Sequence, residues 1–212
     1  MENLKRLLNN RQPKLHNLRG YFISAVLVPI IEVDGEMQVL FEVRSSSLKR
    51  QPGEICFPGG MVESGELSRP QDTAVRETVE ELGVLREQIE LIGPLDYFIS
   101  PVGALIYPYV GRIAGNAKIV PSPDEVQEVF LAPVKYFLSA RPAQSSIDVG
   151  TRYAADFPFD RLPAYYKEGW RVLGTLPVYF YEYGNRLIWG ATAGILHSFI
   201  DICRENMIIS SQ

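Results

Sequence analysis

Arg76-Glu77-Thr78-Val79-Glu80-Glu81-Leu82-Gly83-Val84 places three carboxylates within one helical turn, shortly after the double glycine Gly59-Gly60. At about 100° per residue, Glu77, Glu80 and Glu81 fall within roughly a 100° arc, while Val75, Val79 and Leu82 gather on the opposite side. The spacing predicts a helix with an apolar inner face and an acidic outer one. Gly83 suits the position just past the helix C-terminus, which sets Glu80 and Glu81 against the negative pole of the helix macrodipole as well as against each other. A positive partner is therefore expected. Hard divalent cations such as Mg²⁺ or Mn²⁺ favour carboxylate oxygens, and acids at i, i+3 and i+4 project closely enough to share one or two of them. A solvated acidic face, paired with Arg76 and nearby lysines, is the competing reading, and spacing alone does not separate the two.

The approach to the helix favours a ligand. Ile55-Cys56-Phe57 is apolar and runs into Phe57-Pro58-Gly59-Gly60, so a strand is expected to stop at the proline and turn through two glycines. Gly60 can then bring backbone close to a bound group. Glu63-Ser64-Gly65-Glu66 reads as a polar turn, and Ser68 with Gln71 as a capping box around Pro70. These signals predict a helix from about Arg69 to Leu82.

Together these residues resemble the signature of the Nudix hydrolase family: Gly, five residues, Glu, seven residues, Arg-Glu, an aliphatic, any residue, Glu-Glu, any residue, Gly, an aliphatic. Gly60 and Glu66 keep the first spacing, and Arg76, Glu77, Glu80, Glu81, Gly83 and Val84 match the second half. Nine residues rather than seven separate Glu66 from Arg76, an excess that the Leu67 to Pro70 turn can absorb, and Thr78 stands where an aliphatic is usual. The resemblance implies an α/β fold, a Nudix-type α/β/α sandwich with a mixed β-sheet. It also implies that Glu77 and Glu81, with Glu80 and the Gly60 carbonyl, hold Mg²⁺ or Mn²⁺ against a diphosphate, while Arg76 orients the acids. Glu80 or a downstream acid would accept the proton of the attacking water; Glu125 and Glu128, in Pro121-Ser122-Pro123-Asp124-Glu125-Val126-Gln127-Glu128-Val129, are the candidates there.

A second resemblance narrows the family. Val39 to Arg44, Ser45, Lys49, Gly53 and Ile55-Cys56-Phe57-Pro58-Gly59-Gly60 look like the additional motif of the coenzyme A diphosphatase branch, with Lys49 in its basic position and Arg50 beside it. Ile188 to Leu196 is similar to the branch's closing strand-to-helix segment. Arg44, Lys49, Arg50 and Gly53 become candidate substrate contacts, whose cations would meet the phosphates of a coenzyme A-like nucleotide. Solvation of a hairpin loop is the alternative for the same basic residues. Cleavage would yield 4′-phosphopantetheine and adenosine 3′,5′-bisphosphate. Rival readings are a Nudix pyrophosphatase acting on ADP-ribose or dinucleotide polyphosphates, and a Nudix domain that only binds nucleotide; retention of all three box glutamates disfavours the last.

Composition agrees with a single domain spanning 1–212: 212 residues with 46% apolar content can bury a substantial core. A formal charge of −4 argues against general nucleic-acid binding. The polar N-terminus Met1-Glu2-Asn3-Leu4-Lys5-Arg6 and the short apolar stretches predict no signal peptide and no membrane association, hence a soluble, cytoplasmic enzyme. Cys56, Cys203, His16 and His197 lack metal or redox spacing and read as structural; Cys56 beside the glycine turn is either a buried strand residue or a reactive thiol, and burial is favoured.

Elsewhere, a helical extension is expected over 1–17. Tyr21 to Glu32 and Gln38 to Arg44 read as strands around an Asp34-Gly35 turn, and Ile89 to Ile99, Leu105 to Ile113 and Val126 to Val134 as further strands. Val178 to Tyr183 and Leu187 to Trp189 form a hairpin before a closing helix, Ala191 to Arg204. The 138–175 segment reads as an irregular, aromatic-rich insertion that covers the site, packs on the core or forms a homodimer interface.

Overall fold

The structure is a computed structural model that describes residues 1–9, 22–101 and 103–210. His16, Tyr21 and most of the second half of the expected N-terminal extension lie outside the described residues; its first half is a short exposed helix, α1 (Glu2–Leu8).

The central hairpin joins β1 (Phe22–Val33) to β2 (Glu36–Arg44) through Asp34 and Gly35, both at positive φ (50° and 78°), the backbone of a two-residue type I′ turn. The two strands pair only near that turn, from Val33↔Glu36 to Ile30↔Val39, and then splay. Two short strands fill the gap: β3 (Ile55–Cys56) pairs with β2 at Glu42↔Cys56, and β4 (Gly59–Met61) pairs with β1 at Ala25↔Gly60 and Val26↔Gly59. The glycines expected to form a turn are thus a strand, wedged into the middle of the sheet. Gly59 has no room for a side chain, because a Cβ there would run into the Ala25 carbonyl and Val26.

α2 (Pro70–Leu82) packs on one face of this sheet. One 3₁₀ turn, η1 (Arg86–Gln88), and two strands follow, β5 (Ile89–Pro94) and β6 (Phe98–Ser100), both antiparallel to β7 (Ala104–Ile113). The strand expected over Ile89 to Ile99 is therefore two, broken after Pro94, whose ring nitrogen has no hydrogen to donate. β7 runs parallel to β1 from Phe22↔Ala104 to Ile31↔Ile113, and β8 (Val126–Pro133) lies antiparallel on the outer edge of β2. α3 (Val134–Ser139) and the closing helix α4 (Gly190–Ser210) cover the opposite face from α2. The result is a mixed sheet between helices, an α/β/α sandwich.

Alternation along the strands feeds two cores. Val26, Val28, Ile30, Val39 and Phe41 face α3 and α4, whereas Ala25, Leu27, Ile31 and Leu40 meet Ala74, Val75 and Leu82 of α2. The 138–175 segment is only partly irregular: β9 (Ala143–Arg152) pairs antiparallel with β10 (Trp170–Tyr183) from Phe180↔Ala143 to Trp170↔Arg152, and residues 153–169 between them form a loop with a single 3₁₀ turn. Its aromatics Tyr153, Phe157, Phe159 and Tyr166 stack on one another beyond the strands rather than on the main core. β10 continues through the expected hairpin at Gly184 into β11 (Arg186–Trp189), which feeds α4. No helix among the described residues is long and apolar enough to cross a membrane.

Candidate active site

α2 begins at Pro70 behind Arg69, with no side-chain cap, so the Ser68–Gln71 capping box does not form. Successive turns closed by Glu66 N–H to Glu63 O (2.9 Å) and Arg69 N–H to Glu66 O (2.8 Å) deliver the chain to the helix instead, and absorb the extra residues after Glu66. Gln71 accepts from the Tyr109 hydroxyl at 3.4 Å. At the other end Gly83 adopts φ 64°, the left-handed conformation that ends a helix, and its N–H reaches Val79 O.

The acidic face differs from the simple amphipathic picture. Thr73, Ala74, Val75, Thr78, Glu81 and Leu82 are all buried, so the inner arc is wide and contains Glu81 itself. Thr73, Ala74 and Thr78 are small enough to admit close approach, and the Thr78 hydroxyl returns to the Ala74 carbonyl at 2.7 Å, which lets a hydroxyl occupy an apolar position. Glu80 is the exposed member, its side chain 54% accessible against 18% for Glu77.

Each acid has a defined partner. The Gly59 N–H donates to Glu81 Oε2 at 2.8 Å. Arg76 is the hub of the rest: it donates to Glu66 (3.2 Å), Glu77 (2.8 Å) and Glu80 (3.3 Å), and Glu66 also accepts from the Thr73 hydroxyl at 2.6 Å. Glu66 therefore reaches Arg76 despite the altered spacing, and its hydrogen bonds to Arg76 and Thr73 hold its pKa below the usual carboxylate value. Gly60 abuts Glu77 so closely that a Cβ would overlap the carboxylate.

Burial dominates the electrostatics. Desolvation pushes the Glu81 pKa up to about 8, opposed by the Gly59 N–H and reinforced by Glu77 and Glu125. Desolvation also raises Glu77, against the pull of Arg76, with Glu80 and Glu125 adding repulsion. Glu125 is exposed, yet its charge acts on both Glu77 and Glu81, and its carbonyl accepts the Ser45 N–H at 2.8 Å, which ties its loop to the end of β2. Glu128 is elsewhere engaged: Arg186 pairs with it at 2.7 Å and lowers its pKa.

The sheet contributes a further buried acid. Glu42, in the apolar run Val39-Leu40-Phe41-Glu42-Val43, is 1% exposed, and burial, then the charge of Glu81, raise its pKa well above the usual range. A lone charge in an apolar strand was the available signal. Cys56 opposite it, half-buried on β3, has its thiol pushed up by burial, then by the charges of Glu42 and Glu81.

A cavity of about 350 Å³ opens on the other side of Gly59 and Gly60, which line it together with Arg44, Cys56, Phe57 and the first turn of α4, Gly190-Ala191-Thr192. The Thr192 hydroxyl donates to the Ile55 carbonyl at 3.0 Å and fixes that turn over β3. Arg44 is the basic residue of the sequence motif that lines the cavity; its Nε is buried and has no hydrogen-bond partner among the described residues. Lys49 and Arg50 are exposed on the loop beyond it, Arg50 lying 5.6 Å over the Phe22 ring of the cavity wall. Gly53, at φ 73°, closes that loop through its N–H to the Arg44 carbonyl at 3.1 Å. The cavity lining takes no described residue from 138–175; Trp189 and α4 supply the cover instead.

The donor set suits a hard divalent cation: Glu81 is a buried carboxylate that meets one backbone N–H, half-buried Glu77 is only partly offset by Arg76, and Glu80 stands beside them. Among the described residues no three acids converge as a closed cage, since Arg76 engages Glu77 and Glu80 while Gly59 engages Glu81.

Comparison with known proteins identifies the family. A family model described as NUDIX domain matches residues 22–148, well over half of the chain. The chain is 41% identical over 114 residues to the peroxisomal coenzyme A diphosphatase NUDT7 of Mus musculus, covering 54% of this chain and 48% of that protein, so it spans about half the length of that relative. It is 33% identical over 168 residues to the peroxisomal coenzyme A diphosphatase ndx-8 of Caenorhabditis elegans, covering 78% of this chain and 71% of that one. The Nudix hydrolase NudL of Photorhabdus laumondii shares 30% identity over 82% of this chain and 81% of its own. On the extent of these matches, together with the glutamate helix and its glycine strand, the chain belongs to the NUDIX family.

Proposed function

We propose that this chain hydrolyses the diphosphate of coenzyme A or its derivatives, with Mg²⁺ or Mn²⁺, to 4′-phosphopantetheine and adenosine 3′,5′-bisphosphate. The observation that carries the reading is the glycine strand, with half-buried Glu77 and buried Glu81 on one side and a cavity holding Arg44 on the other. Likeness to two relatives named coenzyme A diphosphatases supports the choice of substrate. When bound, the cation neutralises the diphosphate and acidifies water.

Glu77 and Glu81, with the Gly60 carbonyl and Glu80, would hold that cation. Arg76, anchored by Glu66, keeps Glu77 and Glu80 oriented. The Arg44 guanidinium, with an unpaired N–H, takes a phosphate oxygen, and the first turn of α4 offers backbone N–H groups to the same negative charge. Glu80, the solvent-facing acid, accepts the proton of the attacking water; the water oxygen bonds to phosphorus as the bridging P–O bond breaks. The apolar walls Phe57, Ile106 and Trp189 receive the remainder of the substrate.

Product analysis after incubation with coenzyme A and Mg²⁺ or Mn²⁺, alongside dephospho-coenzyme A and ADP-ribose, tests the proposal. The two named products are expected, with no turnover in excess chelator. Cleavage of ADP-ribose but not coenzyme A would overturn the substrate, and binding without cleavage of any of the three would overturn the activity.

A further inference from the structure

We propose that Glu42 is an additional carboxylate of the cation site, supplied by the sheet rather than by α2. The inference rests on the cation reading of Glu77 and Glu81 given above. Strand alternation sends Glu42, with Leu40, to the α2 face, and Leu40 packs into the core that α2 closes. The residue opposite on β3 is Cys56, whose Sγ lies 3.9 Å from Glu42 Oε2, a weak contact. Oε1 has no hydrogen-bond partner among the described residues, although the residue is 1% exposed.

A carboxylate buried in this way is costly unless something positive or a set of donors meets it. The charges that act on it are those of Glu81 and Glu125, both negative, and Arg44. Arg44 acts on it only through its charge: among the described residues neither Glu42 Oε1 nor the buried Arg44 Nε has a hydrogen-bond partner. An anionic ligand would add repulsion and an apolar one would leave Oε1 unmet. A divalent cation that also meets Glu81 supplies the missing charge, and carboxylate oxygens are its preferred donors. Glu42 then fixes the inner side of the site on a rigid strand, while α2 provides the outer side.

Mn²⁺ titration of the metal-stripped full chain, read by calorimetry and by the Mn²⁺ electron paramagnetic resonance signal, tests this without substrate. Glu42→Gln should bind Mn²⁺ roughly 10- to 100-fold more weakly than the unaltered chain, while its unfolding temperature in chelator stays equal or rises. If Gln at this position does not fold, Glu42→Leu, which suits an apolar strand, carries the same expectation. Glu81→Gln is the control. Weakened binding in Glu81→Gln with unchanged binding in the Glu42 variant overturns this inference alone; unchanged binding in both overturns the cation reading of the whole site. A lower unfolding temperature with unchanged Mn²⁺ affinity assigns Glu42 a structural role and also overturns the inference.

Discussion

Glu81→Gln isolates charge from shape at the centre of the site. The amide keeps the volume and an oxygen that can accept the Gly59 N–H, which lies 2.8 Å from the carboxylate. Glu81 is 5% exposed, and burial first, then Glu77 and Glu125, displace its pKa from the ordinary 4.5 to about 8. A carboxyl whose pKa is higher in the folded chain than in the unfolded one favours folding while it is protonated, and that advantage is lost as pH rises from about 4.5 through about 8. At about 1.4 kcal/mol for each pH unit, the full span corresponds to about 5 kcal/mol. In chelator, the wild type and Glu81→Gln should therefore unfold alike near the lower limit and diverge above it, the variant becoming the more stable by a few kcal/mol, roughly 10 °C in Tm for a chain of this size. Mn²⁺ should stabilise the wild type and leave the variant nearly unmoved, and turnover should fall by about 10²-fold or more. Urea denaturation across this pH range, with and without Mn²⁺, reads the first two effects. Parallel stability curves for the two proteins would refute the burial argument, and near-normal turnover would sink the cation role.

Gly60→Ala pushes a methyl group into the Glu77 carboxylate, so turnover should drop about 10²-fold with a stability loss of about 1–3 kcal/mol; unaltered kcat and KM would contradict the close approach. Glu125→Gln should lower turnover and Glu128→Gln should not, because only the first charge acts on Glu77 and Glu81 while the second is bound to Arg186; the Glu128 change should cost about 0–1 kcal/mol by denaturation, and equal kinetic effects would erase the distinction. Gly83→Ala meets both a left-handed φ of 64° and the Val120 carbonyl, and should destabilise by about 1 kcal/mol or more; a neutral result in thermal unfolding would remove the helix-stop argument.

The ends of the glutamate helix were legible because their signals are local: Pro70 can only begin a helix there, and Gly83 alone tolerates the stop at no steric cost. The burial of Glu81 was not. A helical wheel assigns the inner face from apolar residues, and here Thr73, Ala74 and Thr78 line it beside Val75 and Leu82, small enough for the helix to approach a strand that has no side chains at Gly59 and Gly60. That partner lies distant in the chain. The β9–β10 ribbon escaped notice for a related reason: Ala143-Gln-Ser-Ser-Ile-Asp-Val-Gly-Thr-Arg152 is largely exposed and has no apolar face to announce a strand, and its pairing with Trp170 to Phe180 is long-range. Glu42 was readable in principle, since the parity that sends Leu40 to α2 sends Glu42 with it, but a strand assignment made from apolar content alone passes over the one residue that breaks it.

The splayed hairpin gives the site its geometry. Had β1 and β2 paired along their whole length, no strand could enter between them, and the sheet would present side chains to both faces. Instead they part after Ile30↔Val39, and β3 and β4 carry Cys56 and the two glycines into the gap. A strand of bare backbone can be approached from both faces at once: Glu81 and Glu77 crowd one side, and the cavity with Arg44 adjoins the same two residues. On the proposed activity this solves a problem of charge. A diphosphate must lie against carboxylates that repel it and a guanidinium that attracts it, and a cation on the acids makes the first contact favourable while Arg44 makes the second. A side chain at Gly59 would force β4 away from β1, separating the acids from Arg44, so the glycine is required by the electrostatics of the ligand as much as by the packing of the sheet.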